Sequence, residues 1–163
     1  MTMDVTQLQR KLRDHQAFMF QQGFLDDQFS QLYKLQDETS PNFVIDVVTL
    51  FFDDSENLLK NMARAIEQIP VDFQQVYDPV HQYKGSSASV GAARVKNVCT
   101  TFRNFCEAKN LEGCVRCLQQ LQLEYSQLKK NLQYLLLETA SLQLCKGKAA
   151  YKDFLYSTLA SRV

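Results

Sequence analysis

A seven-residue recurrence near the end of the chain constrains its fold more than any other feature. Leu111, Leu118, Tyr125, Leu132 and Thr139 follow one another at intervals of seven, and Cys114, Leu121, Leu128, Leu135 and Leu142 stand three residues after each. On a helix these two rows form one continuous seam, the pattern of left-handed packing between helices. A coiled-coil dimer would bury such a seam, and so would an antiparallel bundle formed within the chain. The preceding residues favour the bundle. Three upstream segments carry matching apolar stripes and short connections, so an all-α, antiparallel four-helix bundle closes on itself. No strand alternation, Asn-Gly hairpin or internal repeat competes, and only five glycines and three prolines interrupt the 163 residues.

The stripes can be followed along the chain. A first helix is expected over residues 4–22, with Leu8, Leu12, His15 and Met19 at three-four spacing and Gly23 ending it. A short second helix near 26–36 gathers Phe29, Leu32 and Tyr33 on one side. Ser40-Pro41 has the form of a cap followed by a first-turn proline. From there a long helix carries Phe43, Val44, Val47, Val48, Phe51, Leu58, Met62 and Ile66 as far as Ile69-Pro70. Asp72 caps the next helix. Within it Pro79 either introduces a kink or marks the point where the helix proper starts. Residues 92–109 form another helix, striped by Val95, Val98, Phe102 and Phe105. The expected organisation is a single domain over 1–163: two additional N-terminal helices at about 4–37, the bundle at about 41–145, and a tail at 146–163 with room for one more short helix.

Composition narrows the function classes. Eighteen basic residues balance eighteen acidic ones, whereas a nucleic-acid binder normally shows a basic excess or stripe. With 45% apolar and 22% charged residues the chain reads as globular rather than disordered. No apolar run approaches a membrane span, and the opening "MTMDVTQLQRKLRDHQ" is too polar for a signal peptide. Five cysteines, an odd number embedded in helical patterns, point to a reducing compartment. "CVRC", Cys114 to Cys117, lacks the second Cys-x-x-Cys, the histidine pair or the βαβ context of a zinc or redox site, and reads as core-flanking cysteine. No Gly-rich phosphate loop is present, so nothing points to ATP binding.

The stretch "VHQYKGSSASVGA" at residues 80–92 is different in kind, because it sets poor helix formers beside one of only two histidines. At about 100° per residue, Phe73, Val76, Val80, Tyr83, Ser87 and Val90 form the buried stripe. His81 falls on an exposed flank with Gln74, Gly85 and Ala88. Lys84 and Gly85 follow it by three and four residues and are therefore its neighbours one turn on. An ammonium there can offset the charge of a phosphoryl group on the imidazole. A glycine leaves a notch for a partner, at about 0.5–1 kcal/mol of helix stability relative to alanine. A lone helical histidine is ordinarily a surface residue, and His15, on an apolar stripe before "AFMF", is such a case. The lysine and glycine at helical spacing set His81 apart. The serines permit tight packing and receive no catalytic role.

"HQYKGSSAS" resembles the His-x-x-Lys-Gly signature of the histidine-containing phosphotransfer proteins, in the extended His-Gln-x-Lys-Gly-Ser-Ser form of the plant-type branch. The resemblance covers nearly the whole chain. It implies a four-helix bundle with His81 as phosphoacceptor, Lys84 as electrostatic support, and Gly85, with Gln82 and Ala88 beside it, as the surface a partner approaches. It implies a phosphocarrier rather than an enzyme, placed in the cytokinin multistep phosphorelay. The receiver aspartate of a hybrid histidine kinase would supply the phosphoryl group and a response-regulator aspartate in the nucleus would receive it. Mg²⁺ and the catalytic carboxylates would belong to the partner receiver, with no cofactor on this chain. Tyr83 departs from the leucine common at that position and should affect packing rather than transfer. Some relatives have asparagine in place of the histidine and cannot carry phosphate; this chain keeps the histidine. A non-catalytic helical adaptor would share the bundle without needing His81.

Overall fold

The computed structural model describes residues 4–145. Six helices follow one another: α1 (Val5–Gln21), α2 (Asp27–Leu35), α3 (Phe43–Glu67), α4 (Phe73–Val90), α5 (Ala93–Glu107) and α6 (Leu111–Cys145). α3 packs on α4, α4 on α5, α5 on α6 and α6 back on α3, which closes a four-helix ring with short antiparallel connections. The seam expected for α6 is the face that fills this ring. Cys114, Leu118, Leu121, Tyr125, Leu128, Leu132, Leu135, Thr139 and Leu142 are all buried, and only Leu111, at the helix entrance, stands in solvent. Phe51 and Phe52 of α3, Tyr83 of α4 and Phe102 of α5 meet them in the core.

α6 is far longer than α4 or α5, 35 residues against 18 and 15, so its second half extends beyond them. α1 covers that part. His15 joins the two helices through Nδ1 to Glu138 Oε2 at 3.1 Å and Nε2 to Asn131 Oδ1 at 3.4 Å. The histidine of the apolar stripe is thus a half-buried bridge. α2 rests on α3 and α4, burying Phe29 and Leu32. The α1–α2 loop is also stitched to the α4–α5 turn: Asp26 N donates to Gly91 O at 3.0 Å and Ala93 N to Phe24 O at 3.1 Å. Beside this seam the Arg94 guanidinium lies 4.5 Å from the Phe24 ring centroid and bonds the buried Glu124 carboxylate at 2.7 Å.

Two local expectations are corrected and one alternative is excluded. Ser40-Pro41 does not cap α3, which starts two residues later. Asp37 Oδ1 accepts from Thr39 N, Thr39 Oγ1 and Ser40 N, tying Ser40 into the turn after α2. The Gln36 side chain then accepts from Val44 N at 3.1 Å and satisfies one of the free donors of α3's first turn. α3 ends at Glu67 rather than at Ile69-Pro70, and α5 runs over Ala93–Glu107 within the expected 92–109. Pro79 is not a helix start. α4 begins at Phe73, where Asp72 accepts from Gln74 N at 3.0 Å, and passes through the buried Pro79. The short helix considered for the tail lies outside the described residues. Among the described residues, no helix is long and apolar enough to cross a membrane.

Candidate functional site

α4 turns one face inward and leaves the opposite flank bare. Val76, Val80, Tyr83, Ser87 and Val90 are buried as expected, while Phe73 is half-buried. The rotation that buries Val80 and Tyr83 carries His81 and Gln82 into solvent. One turn further on, Gly85 is exposed, and a Cβ built there would meet nothing within 4 Å. Ala88, another turn along the same flank, is half-buried. The helix therefore has a shallow strip without bulky side chains running away from His81.

Lys84 is half-buried at the edge of this strip and enters no ion pair among the described residues. Its charge reaches the buried Cys99 thiol of α5, which burial pushes up to about 12 against the opposing pull of the ammonium. Among the described residues no carboxylate pairs with that ammonium, which leaves it available to an anion arriving at His81. The serines fit a packing role. Ser87 is buried and Ser89 Oγ donates to Ser86 O at 2.7 Å, both close to the Gly91 end of the helix.

The sequence reading missed Tyr77. Its ring lies against the His81 imidazole with centroids 5.8 Å apart and an interplanar angle of 8°. The signal was present, since an aromatic residue four positions before a histidine shares its helix face. Tyr77 also borders a cleft of about 940 Å³ between the start of α4 and the end of α5, with Phe73, Cys106, Glu107 and Lys109 among its other walls. The Gln74 Nε2 donates to Asp78 Oδ1 at 2.7 Å.

Cys99, Cys106, Cys114 and Cys117 are all buried. Cys114 and Cys117 are buried in α6, and the sulfur facing Cys114 is Cys106 of α5, at 3.8 Å, rather than its neighbour in the "CVRC" sequence. Among the described residues, no cluster of three or more histidine, cysteine or acidic side chains is arranged to hold a metal ion.

An exposed helical imidazole with an ammonium that pairs with no described carboxylate and an open glycine one turn away, carried on a four-helix ring, defines a carrier surface rather than an enclosed catalytic pocket. The Hpt-domain family model matches residues 46–131, and the chain belongs to the family of histidine-containing phosphotransfer proteins. Its function is histidine phosphotransfer in a multistep phosphorelay. It is 58% identical over 130 residues to histidine-containing phosphotransfer protein 2 of Arabidopsis thaliana, covering 79% of this chain and 83% of that one. The crystal structure of a histidine-containing phosphotransfer protein from Medicago truncatula superposes with a TM-score of 0.81 at 72% identity, over 84% of this chain and 93% of that one. A pseudo histidine-containing phosphotransfer protein of Oryza sativa subsp. japonica is 47% identical over 131 residues, 80% of this chain and 87% of that one. Overall likeness therefore extends to relatives whose names carry the prefix pseudo, and it is the residues of α4, His81 among them, that bear on phosphate carriage in this chain.

Proposed function

We propose that His81 is the phosphoacceptor, receiving the phosphoryl group from the receiver aspartate of a hybrid histidine kinase and passing it to the aspartate of a response regulator. The observation that carries this reading is the solvent-exposed His81 imidazole, with the uncommitted Lys84 three residues on and the open Gly85 four residues on. The other histidine, His15, is engaged at both ring nitrogens and has no such surroundings.

In the accepting step the lone pair of a neutral imidazole nitrogen attacks the phosphorus of an aspartyl phosphate. The N–P bond forms, the acyl O–P bond breaks, and the electron pair leaves with the aspartate carboxylate. The onward step is the reverse, with the carboxylate of the next receiver as nucleophile. Lys84 offsets phosphoryl charge in both directions. Gly85 admits the receiver's acidic site, flanked by Gln82 and Ala88. Mg²⁺ and the carboxylates that bind it belong to the receiver, and this chain contributes a nucleophile and its placement without a cofactor of its own. The plant relatives are in keeping with a place in cytokinin signalling. On this reading the carrier moves between cytoplasm and nucleus, and residues 1–163 act as one domain.

The test uses a receiver domain labelled with radioactive phosphate and the His81→Gln variant. Because the residue is exposed, the variant should melt like the wild type and take up no acid-labile, alkali-stable label. Full labelling of the variant, or label found on His15, would remove His81 from the mechanism.

A further inference from the structure

We propose that Tyr77 is a positioning residue for phosphotransfer: its ring, stacked on the His81 imidazole, holds the nucleophile in the orientation offered to the receiver. The inference rests on the reading of His81 as phosphoacceptor.

An exposed histidine on a helix can normally turn about both of its side-chain torsions. Helical side chains lean toward the preceding turn, so the residue four positions earlier is the one an imidazole can rest on. Here that residue is Tyr77, and the two rings are 8° from parallel with centroids 5.8 Å apart, within the range of an attractive offset stack. The other aromatic contacts of the described chain are inclined by 31° to 82°. The near-parallel pair is thus peculiar to the proposed site.

Of the two rings, Tyr77 is the anchored one. It packs against the core and helps wall the cleft that Phe73 and Cys106 also line, whereas His81 stands in solvent. The fixed ring therefore sets the orientation of the free one. The geometry also suits the chemistry. The nucleophilic lone pair lies in the imidazole plane, so a neighbour covering one ring face restricts rotation without obstructing attack. Nothing in this role requires the tyrosine hydroxyl, which separates ring stacking from hydrogen bonding in an experiment.

The test measures single-turnover transfer from a phosphorylated receiver domain across a receiver concentration series, with His81 ring-proton resonances recorded on each chain by NMR. Tyr77→Leu keeps apolar bulk but removes the stack. Transfer in its saturated complex should slow roughly three- to tenfold, the kinetic equivalent of one aromatic pair, with the half-saturating concentration unchanged. Tyr77→Phe should restore both the rate and the ring-current shift of His81. Wild-type transfer by Tyr77→Leu, an equal loss in Tyr77→Phe, or a change confined to half-saturation would overturn the role. So would an unstacked His81 resonance in the wild-type chain, a result that needs no variant to fold. Label uptake by His81→Gln, run in parallel, would instead overturn the acceptor assignment beneath it.

Discussion

The glycine at position 85 has no internal reason to be a glycine. A Cβ built there meets nothing within 4 Å, in contrast with Gly113, where one would run into the Phe105 ring. A mid-helix glycine nevertheless costs about 0.8–1 kcal/mol relative to alanine. A residue that weakens its helix without relieving any contact within the chain is explained by a contact outside it. Gly85→Leu is therefore expected to raise the melting temperature by about 2–4 °C, since a change of 1 kcal/mol moves a chain of this size by that amount. The same variant should weaken receiver docking, because the leucine fills the strip beside His81. Calorimetry and a binding titration on one preparation check both halves. Higher stability with undiminished docking would show that the open position serves no partner.

At the scale of helices, the turn between α4 and α5 depends on Gly91. Its φ of 77° is in the left-handed region, and a Cβ would stand 2.5 Å from Phe29 N and 2.7 Å from the Asp26 carboxylate that caps α2. Gly91→Ala should therefore cost about 2 kcal/mol or more through backbone strain and displacement of α2, lowering the melting temperature by roughly 4–8 °C while helicity persists. An unchanged melt would mean that the turn relaxes freely. This junction also shows what was legible in the sequence. The stripes of α3, α4 and α6 could be read because one face of each helix is buried along its length, and three-four spacing records that directly. His81, Lys84 and Gly85 could be read because their relation is confined to one turn. The stitching of Phe24, Leu25 and Asp26 onto residues 91–93 could not, since main-chain bonds between distant segments leave no trace in residue type. The start of α3 was misread for a related reason. Ser40 has the chemistry of a cap, but Asp37 engages its N–H first, and Gln36, from before the turn, reaches the α3 donor. Tyr77 was within reach of pattern reasoning, yet spacing alone does not distinguish a tyrosine that packs on the core from one that also stacks on a histidine.

The molecule as a whole buries more titratable groups than its balanced surface charge suggests, and this fixes its response to alkali. Burial pushes the Cys99 and Cys106 thiols up to about 12, raises Cys114 and Cys117 as well, and raises the core phenol of Tyr83. In the unfolded chain thiols titrate near 8.5 and tyrosines near 10. Between those values and the folded ones, the unfolded chain has released protons that the folded chain retains. Stability then falls as pH rises, by up to about 1.4 kcal/mol per pH unit for each such group. The contribution is complete below about pH 8.5 and declines through the window up to about 12, with Tyr83 adding to the slope above about pH 10. Urea unfolding under reductant should show a plateau from pH 7 to 8 and a progressive decline from 9 to 11. Cys99→Ala will be less stable at neutral pH because it leaves a small cavity, so the quantity to compare is the slope rather than the absolute value. That slope should be shallower by close to one group's share in the variant. Flat stability from pH 8 to 11 in the wild type, or an unaltered slope in Cys99→Ala, would mean that these thiols gain water and ionise without unfolding, and that the α5–α6 seam is looser than its packing indicates.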